Sequence, residues 1–422
     1  MLNSKTPQFK KILLATLLAT SVALVGCNDD EDDDKNVQTP APKPTPTLVH
    51  YVSQTPYQPT VPDYAKSIDV MTYNMPSVSG QMIKSTAMVM MPKTAKPADG
   101  WRVVVWTHGT VGAGDVCAPS KNEINPQRFG VLAKSLLEQG YVIIAPDYEG
   151  LGIGGVHPYL HLEGAAQSAI YAMKAAKEKM GTDLKGAWMS AGQSQGGQAS
   201  LGIAEFAADD FDYKGAVAAA PASSLGHIIT QIAPTAISNV EKLSPQAATA
   251  IYAELLAYAA YAVTGISASE ASFDYSKVFQ PRALAIVKQA QNETDESYCL
   301  GGLIQKFGAD IQTFLAEDTT RKVMDYPAFM ANFEQNPSVA KFLQLSQPGT
   351  KQLTKPVLVV QGEADSAVPY QVTQAMVNEL NTRLQSTPQV QLELVPGAAH
   401  SQAIVDRNSE VVAFINKNMP VS

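Results

Sequence analysis

Residues 192–196, Gly-Gln-Ser-Gln-Gly, have the types and spacing of a site for a nucleophilic serine. A serine on a sharp strand-to-helix turn takes strained backbone angles, so the residues two positions before and after it must be small. The flanking segments fit this context. An apolar run at 187–191 is typical of a buried strand, and the Ala-, Leu- and Ile-rich segment 195–208 is typical of a buried helix. Ser194 is therefore the candidate nucleophile.

A nucleophilic serine needs a base that takes its proton, and the base needs a carboxylate that orients it and stabilises its charge. In the α/β-hydrolase arrangement the acid and then the histidine follow the serine along the chain. Only His227 and His400 follow Ser194, and His227 precedes any later strand that could supply the acid. His400 comes after the strand-like run 390–395, so it is the predicted base.

The acid is expected in the loop that follows the strand before 390–395. Residues 356–360 form an apolar, strand-like run that is followed by Gln-Gly-Glu-Ala-Asp. Asp365 is the predicted acid, and Glu363 in the same loop is the alternative. The alternative is that Asp365 only caps the helix that starts near Pro369 and that His400 is an ordinary loop histidine.

An acyl-transferring serine also needs donors for the oxyanion of the tetrahedral intermediate. The apolar run 101–106 predicts a central strand that leads into His108, Gly109 and Thr110. The backbone N–H groups of Thr110 and of Gln195, the residue after the nucleophile, are the predicted donors. His108 is expected to pack the turn rather than to act as a base.

Several motifs together resemble the secretory lipase family of α/β-hydrolases, which includes Candida lipase A-like enzymes and bacterial relatives. The resemblance covers the chain from about Tyr57 onward. It implies hydrolysis of carboxylic esters, including acylglycerols, by a triad of Ser194, Asp365 and His400 that needs no cofactor. The motifs are His-Gly-Thr-Val-Gly at 108–112, Cys-Ala-Pro-Ser at 117–120, Asp-Tyr-Glu-Gly-Leu-Gly at 147–152, His-Pro-Tyr at 157–159 and Gly-Gln-Ser-Gln-Gly-Gly at 192–197.

The expected fold is an α/β-hydrolase fold: a mostly parallel central sheet flanked by helices, with a helical cap inserted between the nucleophile and acid strands. We expect core segments at 57–223 and 350–422 and the cap at 224–349. The cap contains no motif that aligns with the family. A helix from Ser244 to Gly265 is apolar on most sides, so it either packs against the core or walls an apolar acyl site.

The N-terminus has the pattern of an export signal. Lysines precede an apolar stretch at 12–25, which is too short for a comfortable membrane span, and Leu-Val-Gly-Cys at 24–27 resembles a bacterial lipobox. We expect a signal peptide at 1–26, lipidation of Cys27 and an acidic, Pro-rich tether at 27–56. The mature protein would then be lipid-anchored in a bacterial cell envelope, at the periplasmic or surface face of the outer membrane. A plain secretory signal is the alternative.

Three cysteines are present, and lipidation of Cys27 would leave Cys117 and Cys299. In an oxidising compartment these two would pair; otherwise they are buried thiols. The net charge of −8 gives no basis for nucleic-acid binding. The expected partners are a small-molecule or lipid ester and, through the anchor, the membrane; no metal site is expected. The alternatives to an esterase or lipase are a peptidase, an acyltransferase, or an inactive surface-binding lipoprotein.

Overall fold

The computed structural model describes residues 49–421. The predicted signal peptide, Cys27 and most of the predicted tether lie outside the described residues. The part that is described is built on one sheet of nine strands in the order β1-β2-β3-β5-β4-β6-β7-β8-β9. The strands are β1 (Tyr51–Pro56), β2 (Ala65–Pro76), β3 (Met82–Pro92), β4 (Trp101–Thr107), β5 (Val142–Pro146), β6 (Leu184–Gln193), β7 (Tyr213–Ala219), β8 (Val357–Gly362) and β9 (Gln391–Val395).

The sheet is mostly parallel, as expected. Neighbouring strands are parallel in the run β5-β4-β6-β7-β8-β9. Neighbouring strands are antiparallel in the run β1-β2-β3-β5. Every residue of β4, β5 and β8 is buried. Continuous apolar strands of this kind are typical of a parallel sheet with both faces covered. The carboxyl ends of the strands from β4 to β9 therefore meet at one edge of the sheet.

Helices cover both faces of the sheet. Helices α2, α3 and α10 contribute to one hydrophobic cluster, and α1, α11 and α12 contribute to the cluster on the opposite face. The helices are α1 (Phe129–Glu138), α2 (Leu162–Met180), α3 (Gln195–Phe206), α4 (Leu225–His227), α5 (Ala233–Glu241), α6 (Pro245–Ser269), α7 (Pro281–Val287), α8 (Leu300–Glu317), α9 (Pro337–Leu345), α10 (Tyr370–Thr382), α11 (Ala403–Asp406) and α12 (Asn408–Asn418).

The sheet begins earlier than the sequence indicates. The predicted tether runs to residue 56, but Tyr51–Pro56 form β1, which pairs antiparallel with β2. This edge strand is mostly exposed, so it lacks the apolar alternation by which a half-buried strand is recognised. Its backbone pairing with β2, rather than burial of its side chains, makes it a strand.

Helices α4 to α9 lie between β7 and β8 and have a hydrophobic cluster of their own around α6. Ser244 caps α6 by accepting a hydrogen bond from the backbone N–H of Ala247. The predicted end at Gly265 is wrong, because the helix continues to Ser269. Gly265 instead permits a close approach: a Cβ on it would lie 2.6 Å from the carbonyl oxygen of Tyr159. α6 has the length and mean hydropathy of a membrane span, but 67% of its most apolar window is buried inside the fold.

Cys117 and Cys299 form a disulfide bond, which confirms the predicted pairing. The bond joins the loop after β4 to the residue that precedes α8 and so ties the helices after β7 to the sheet. The two cysteines are 182 residues apart in the sequence. In the chain-entropy model, closing so long a loop stabilises the native state by about 5 kcal/mol.

Candidate active site

Ser194 lies at a sharp turn between β6 and α3. Its φ is +61°, in a region that L-residues rarely occupy. The flanking glycines are required by contact distances: a Cβ on Gly192 would lie 2.1 Å from Thr107 Oγ1, and a Cβ on Gly196 would lie 1.8 Å from the Thr107 carbonyl oxygen. The local geometry is therefore that of a nucleophile elbow, in which the turn presents the serine Oγ at the strand end.

The structure brings Ser194, His400 and Asp365 together. Ser194 Oγ lies 2.8 Å from His400 Nε2, and His400 Nδ1 lies 2.7 Å from Asp365 Oδ2. A carboxylate can only accept, so Nδ1 carries the hydrogen and Nε2 is free to accept the serine proton. The three residues follow β6, β9 and β8, whose carboxyl ends share one edge of the sheet.

Asp365 and not Glu363 is the carboxylate in contact with the histidine. The Asp365 side chain is fully buried and that of His400 is 15% exposed. Glu363 is exposed, and its backbone N–H donates to the carbonyl oxygen of Val395. The loop after β8 thus turns one carboxylate inward and the other outward.

Asp365 is held by donors on both of its oxygens. Oδ1 accepts the backbone N–H groups of Ala367 and Val368 at 2.9 and 2.8 Å. Oδ2 accepts the side-chain amide of Gln361 at 2.9 Å in addition to His400. Gln361 is completely buried at the end of β8, and its own oxygen accepts the hydroxyl of Thr373 in α10.

Gln361 was not among the residues that the sequence predicted. The sequence does contain an indication of its importance. Gln361 directly follows the apolar run 356–360, so its amide is expected to be buried and to need hydrogen-bond partners. Sequence alone does not show that one of these partners is the carboxylate of Asp365, which lies four positions away.

Gln361→Met should lower kcat by about 10- to 100-fold, since a small misplacement of the groups around a reacting atom costs up to about that much. The variant keeps side-chain length and removes the donor to Asp365. We expect KM to stay unchanged, because Gln361 lines neither of the two cavities at Ser194. Steady-state kinetics on an activated ester, with the melting temperature as a folding control, would measure this. A Gln361→Met protein with wild-type kcat would contradict the positioning role, and Thr373→Val should have a weaker effect in the same direction.

The residues of the predicted oxyanion hole lie beside Ser194. Thr110 and Ser194 line the same cavity, and the Thr110 hydroxyl forms a 2.7 Å hydrogen bond with the hydroxyl of Tyr159. Gln195 is the first residue of α3, so its backbone N–H has no acceptor within the helix. The helix dipole favours negative charge at this end. Donation by Thr110 and Gln195 to an oxyanion stays a prediction.

Two buried histidines support this region. Burial lowers the pKa of His157 to about 4, so its ring is neutral at neutral pH. His157 Nδ1 donates to the Glu149 carbonyl oxygen, and Nε2 accepts the side-chain amide of Gln195 at 3.0 Å. Burial also lowers the pKa of His108, whose ring contacts the carbonyl oxygens of Gly109 and Asp147. His108 thus packs the turn, as the sequence indicated.

Two cavities of the described residues meet at Ser194 and His400. The first, with a volume of about 130 Å³, is almost entirely apolar. The second, of about 910 Å³, carries many polar side chains. One face of α6 lines the first cavity. Its residues recur at the three- and four-residue spacing of a helix face: Leu255, Tyr258, Ala259, Ala262, Val263 and Ile266. The opposite face packs in the hydrophobic cluster around α6. That the cavity lined by this helix receives an acyl chain stays a prediction.

Comparison with known proteins supports the same fold. The prolyl oligopeptidase family (Peptidase_S9) matches residues 300–421. No curated protein matches the sequence significantly. Solved structures that resemble the chain include a Legionella pneumophila protein described as a hydrolase (21% identity, TM-score 0.62, 83% of this chain and 88% of that one). They also include the rice cell wall degrading esterase LipA from Xanthomonas oryzae (18% identity, TM-score 0.61, 89% of this chain and 99% of that one).

Candida antarctica lipase A in its closed state is a third similar structure, with 14% identity and a TM-score of 0.63 over 88% of this chain and 82% of that one. The resemblance indicated by the motifs is therefore confirmed at the level of the fold. The chain has the α/β-hydrolase fold.

Proposed function

We propose that this protein is a serine hydrolase that cleaves carboxylic esters through an acyl-enzyme. The observation that carries the proposal is the hydrogen-bonded chain of Ser194, His400 and Asp365 at the mouth of an apolar cavity. Each member has the partner that its role needs: the serine has a base, and the base has a carboxylate that selects its tautomer.

The reaction has two halves. Ser194 Oγ attacks the ester carbonyl while His400 Nε2 takes its proton, and the N–H groups of Thr110 and Gln195 stabilise the oxyanion. His400 then donates this proton to the leaving alkoxide, and the alcohol departs from the acyl-enzyme. In the second half a water molecule gives a proton to His400 and attacks the acyl carbon. His400 then donates this proton to Ser194 Oγ as its bond to the acyl carbon breaks, which releases the acid and restores Ser194.

A peptidase on the same three residues is the second candidate, because the matched prolyl oligopeptidase family covers the segment with Asp365 and His400. The test compares an ester and an amide that share one acyl group and differ only in the scissile bond, with Ser194→Ala as the control. The ester function is supported if the ester is cleaved and the amide is not. Cleavage of the amide and of proline-containing peptides at comparable rates would favour the peptidase.

We also propose that the mature protein is a lipoprotein of a bacterial cell envelope, anchored through Cys27. The proposal is supported by the basic and apolar residues 5–25, the Leu-Val-Gly-Cys run and the acidic, Pro-rich segment that follows. The disulfide between Cys117 and Cys299 agrees with an oxidising compartment.

Cys27→Ser should abolish lipid labelling and block processing at this position, because the serine cannot form the thioether. Metabolic labelling with a fatty-acid analogue, followed by membrane fractionation and mass spectrometry of the N-terminus, would measure this. Ser21→Ala, in the same segment, is the matched control and should be labelled normally. A soluble mature protein whose N-terminus maps elsewhere would refute the anchor.

A further inference from the structure

We propose that the substrate joins a short acyl group to a large, neutral, polyhydroxylated alcohol. The inference rests on the proposed ester hydrolysis and deepens it, because it names the substrate class of the same site. It is carried by the contrast between the two cavities that meet at Ser194 and His400.

The apolar cavity limits the acyl group. Its volume of about 130 Å³ is close to that of an engineered apolar cavity of about 150 Å³ that binds benzene. A cavity of this size holds about six carbon atoms. Phe329 and Phe333, whose rings stack 4.7 Å apart, form part of its wall. A longer chain would have to extend into solvent through the open side of the cavity, where its methylenes stay hydrated, or displace packed side chains.

The wide cavity is on the side of the leaving alcohol. His400 must donate its proton to the leaving oxygen, so the alcohol has to lie beside the His400 ring. The flanking residues Ala399, Ser401 and Gln402 line the wide cavity and not the apolar one. The alcohol part can therefore be several times larger than the acyl part.

Tyr258 forms the border between the cavities. With Ser194 and His400 it is one of three residues that line both. Its hydroxyl donates to Glu254 Oε1 at 2.6 Å, and Glu254 lines only the wide cavity of the two. Burial, and then the Glu254 carboxylate, raise the pKa of Tyr258 well above its usual value, so the phenol stays a donor. This bond turns the polar end of Tyr258 toward the alcohol side.

The lining of the wide cavity suits hydroxyl groups. Within the described part of the chain, the side chains of Gln127, Ser366 and Ser401 line it and make no hydrogen bond to protein. They are exposed or half-buried, so they can exchange water for a ligand. Its charged side chains, Glu254 and Arg128, are of opposite sign, so the cavity offers no net charge to an ionic alcohol. A neutral polyol fits both properties.

The acyl limit is tested with p-nitrophenyl esters from acetyl to palmitoyl. We expect kcat/KM to peak near hexanoyl and to fall at least about 10-fold by dodecanoyl, since the added methylenes no longer find apolar space. Leu255→Ala, which enlarges the apolar cavity, should move the peak to longer chains. Leu256→Ala is the matched control, because the same truncation at the adjacent, fully buried position lies outside the cavity lining. A rise that continues to palmitoyl, or equal profiles for the two variants, would overturn the acyl limit.

The alcohol side is tested with butanoate esters of glucose and of methanol. We expect kcat/KM for glucose butanoate to exceed that for methyl butanoate by at least about 10-fold, and the double variant Gln127→Ala, Ser401→Ala to lower the ratio of these two values. Equal rates on both esters would overturn the inference and leave the ester function intact. If the protein cleaved no ester, including p-nitrophenyl acetate, the proposed function and the inference would both fail.

Discussion

Ser194→Ala and His400→Ala should each lower kcat on p-nitrophenyl butanoate by at least about 10⁴-fold. The first variant removes the attacking atom, and the second removes the group that takes and returns its proton. Because the two residues act as one unit through the 2.8 Å hydrogen bond, the double variant should be no slower than either single variant. Steady-state kinetics on the purified proteins, corrected for the uncatalysed rate, would measure all three.

His227→Ala is the matched control for the histidine. It is the other histidine that follows Ser194, but it is exposed and absent from the lining of both cavities. We expect wild-type kcat for this variant. The assignment of the nucleophile would be wrong if Ser194→Ala retained more than about a tenth of the wild-type rate, a loss far below that expected for a triad serine.

Asp365→Asn should lower kcat by about 10³- to 10⁴-fold with little change in overall structure. The buried carboxylate accepts the Nδ1–H of His400, whereas an amide can present its own N–H there and favour the wrong tautomer. The serine would then face a ring nitrogen that carries a hydrogen and cannot act as a base. The near-isosteric change keeps most of the contacts that place the loop after β8.

Glu363→Gln is the control for Asp365→Asn, since the same chemical change is made two positions earlier in the same loop. Glu363 is exposed and should give kcat close to that of the wild type. The reverse ranking, with Glu363→Gln the slower enzyme, would transfer the acid role to Glu363. Pre-steady-state measurement of the p-nitrophenol burst would show whether Asp365→Asn slows acylation, as expected for a histidine that cannot accept the serine proton.

The nucleophile turn could be recognised from the sequence because its requirements are local. Gly192 and Gly196 must be glycine since any Cβ would collide with Thr107, and such a need is visible as a short motif. The order of Ser194, the acid loop and His400 was equally accessible, since parallel strands align their carboxyl ends whatever the details of packing. The disulfide followed from the small number of cysteines.

The edges and ends of some elements depended on contacts with other segments of the chain. Tyr51–Pro56 is a strand because β2 lies beside it, and α6 continues past Gly265, where the backbone of Tyr159 packs against that glycine. β1 pairs with the next strand without burying most of its own side chains, and Tyr159 is far from Gly265 in the sequence, so local composition reveals neither contact.

The elbow at Ser194, the candidate base at His400 and the mostly parallel sheet could be predicted without a structure, because glycine sterics, strand order and apolar runs act over short stretches of chain. Three features became visible only in the folded chain: Asp365 rather than Glu363 contacts His400, Gln361 donates to this carboxylate, and Leu255 but not Leu256 lines the apolar cavity. In each case the outcome depends on the direction in which a side chain points relative to its neighbours in the sequence. That direction is set by packing between segments far apart in the chain, which local propensity does not encode.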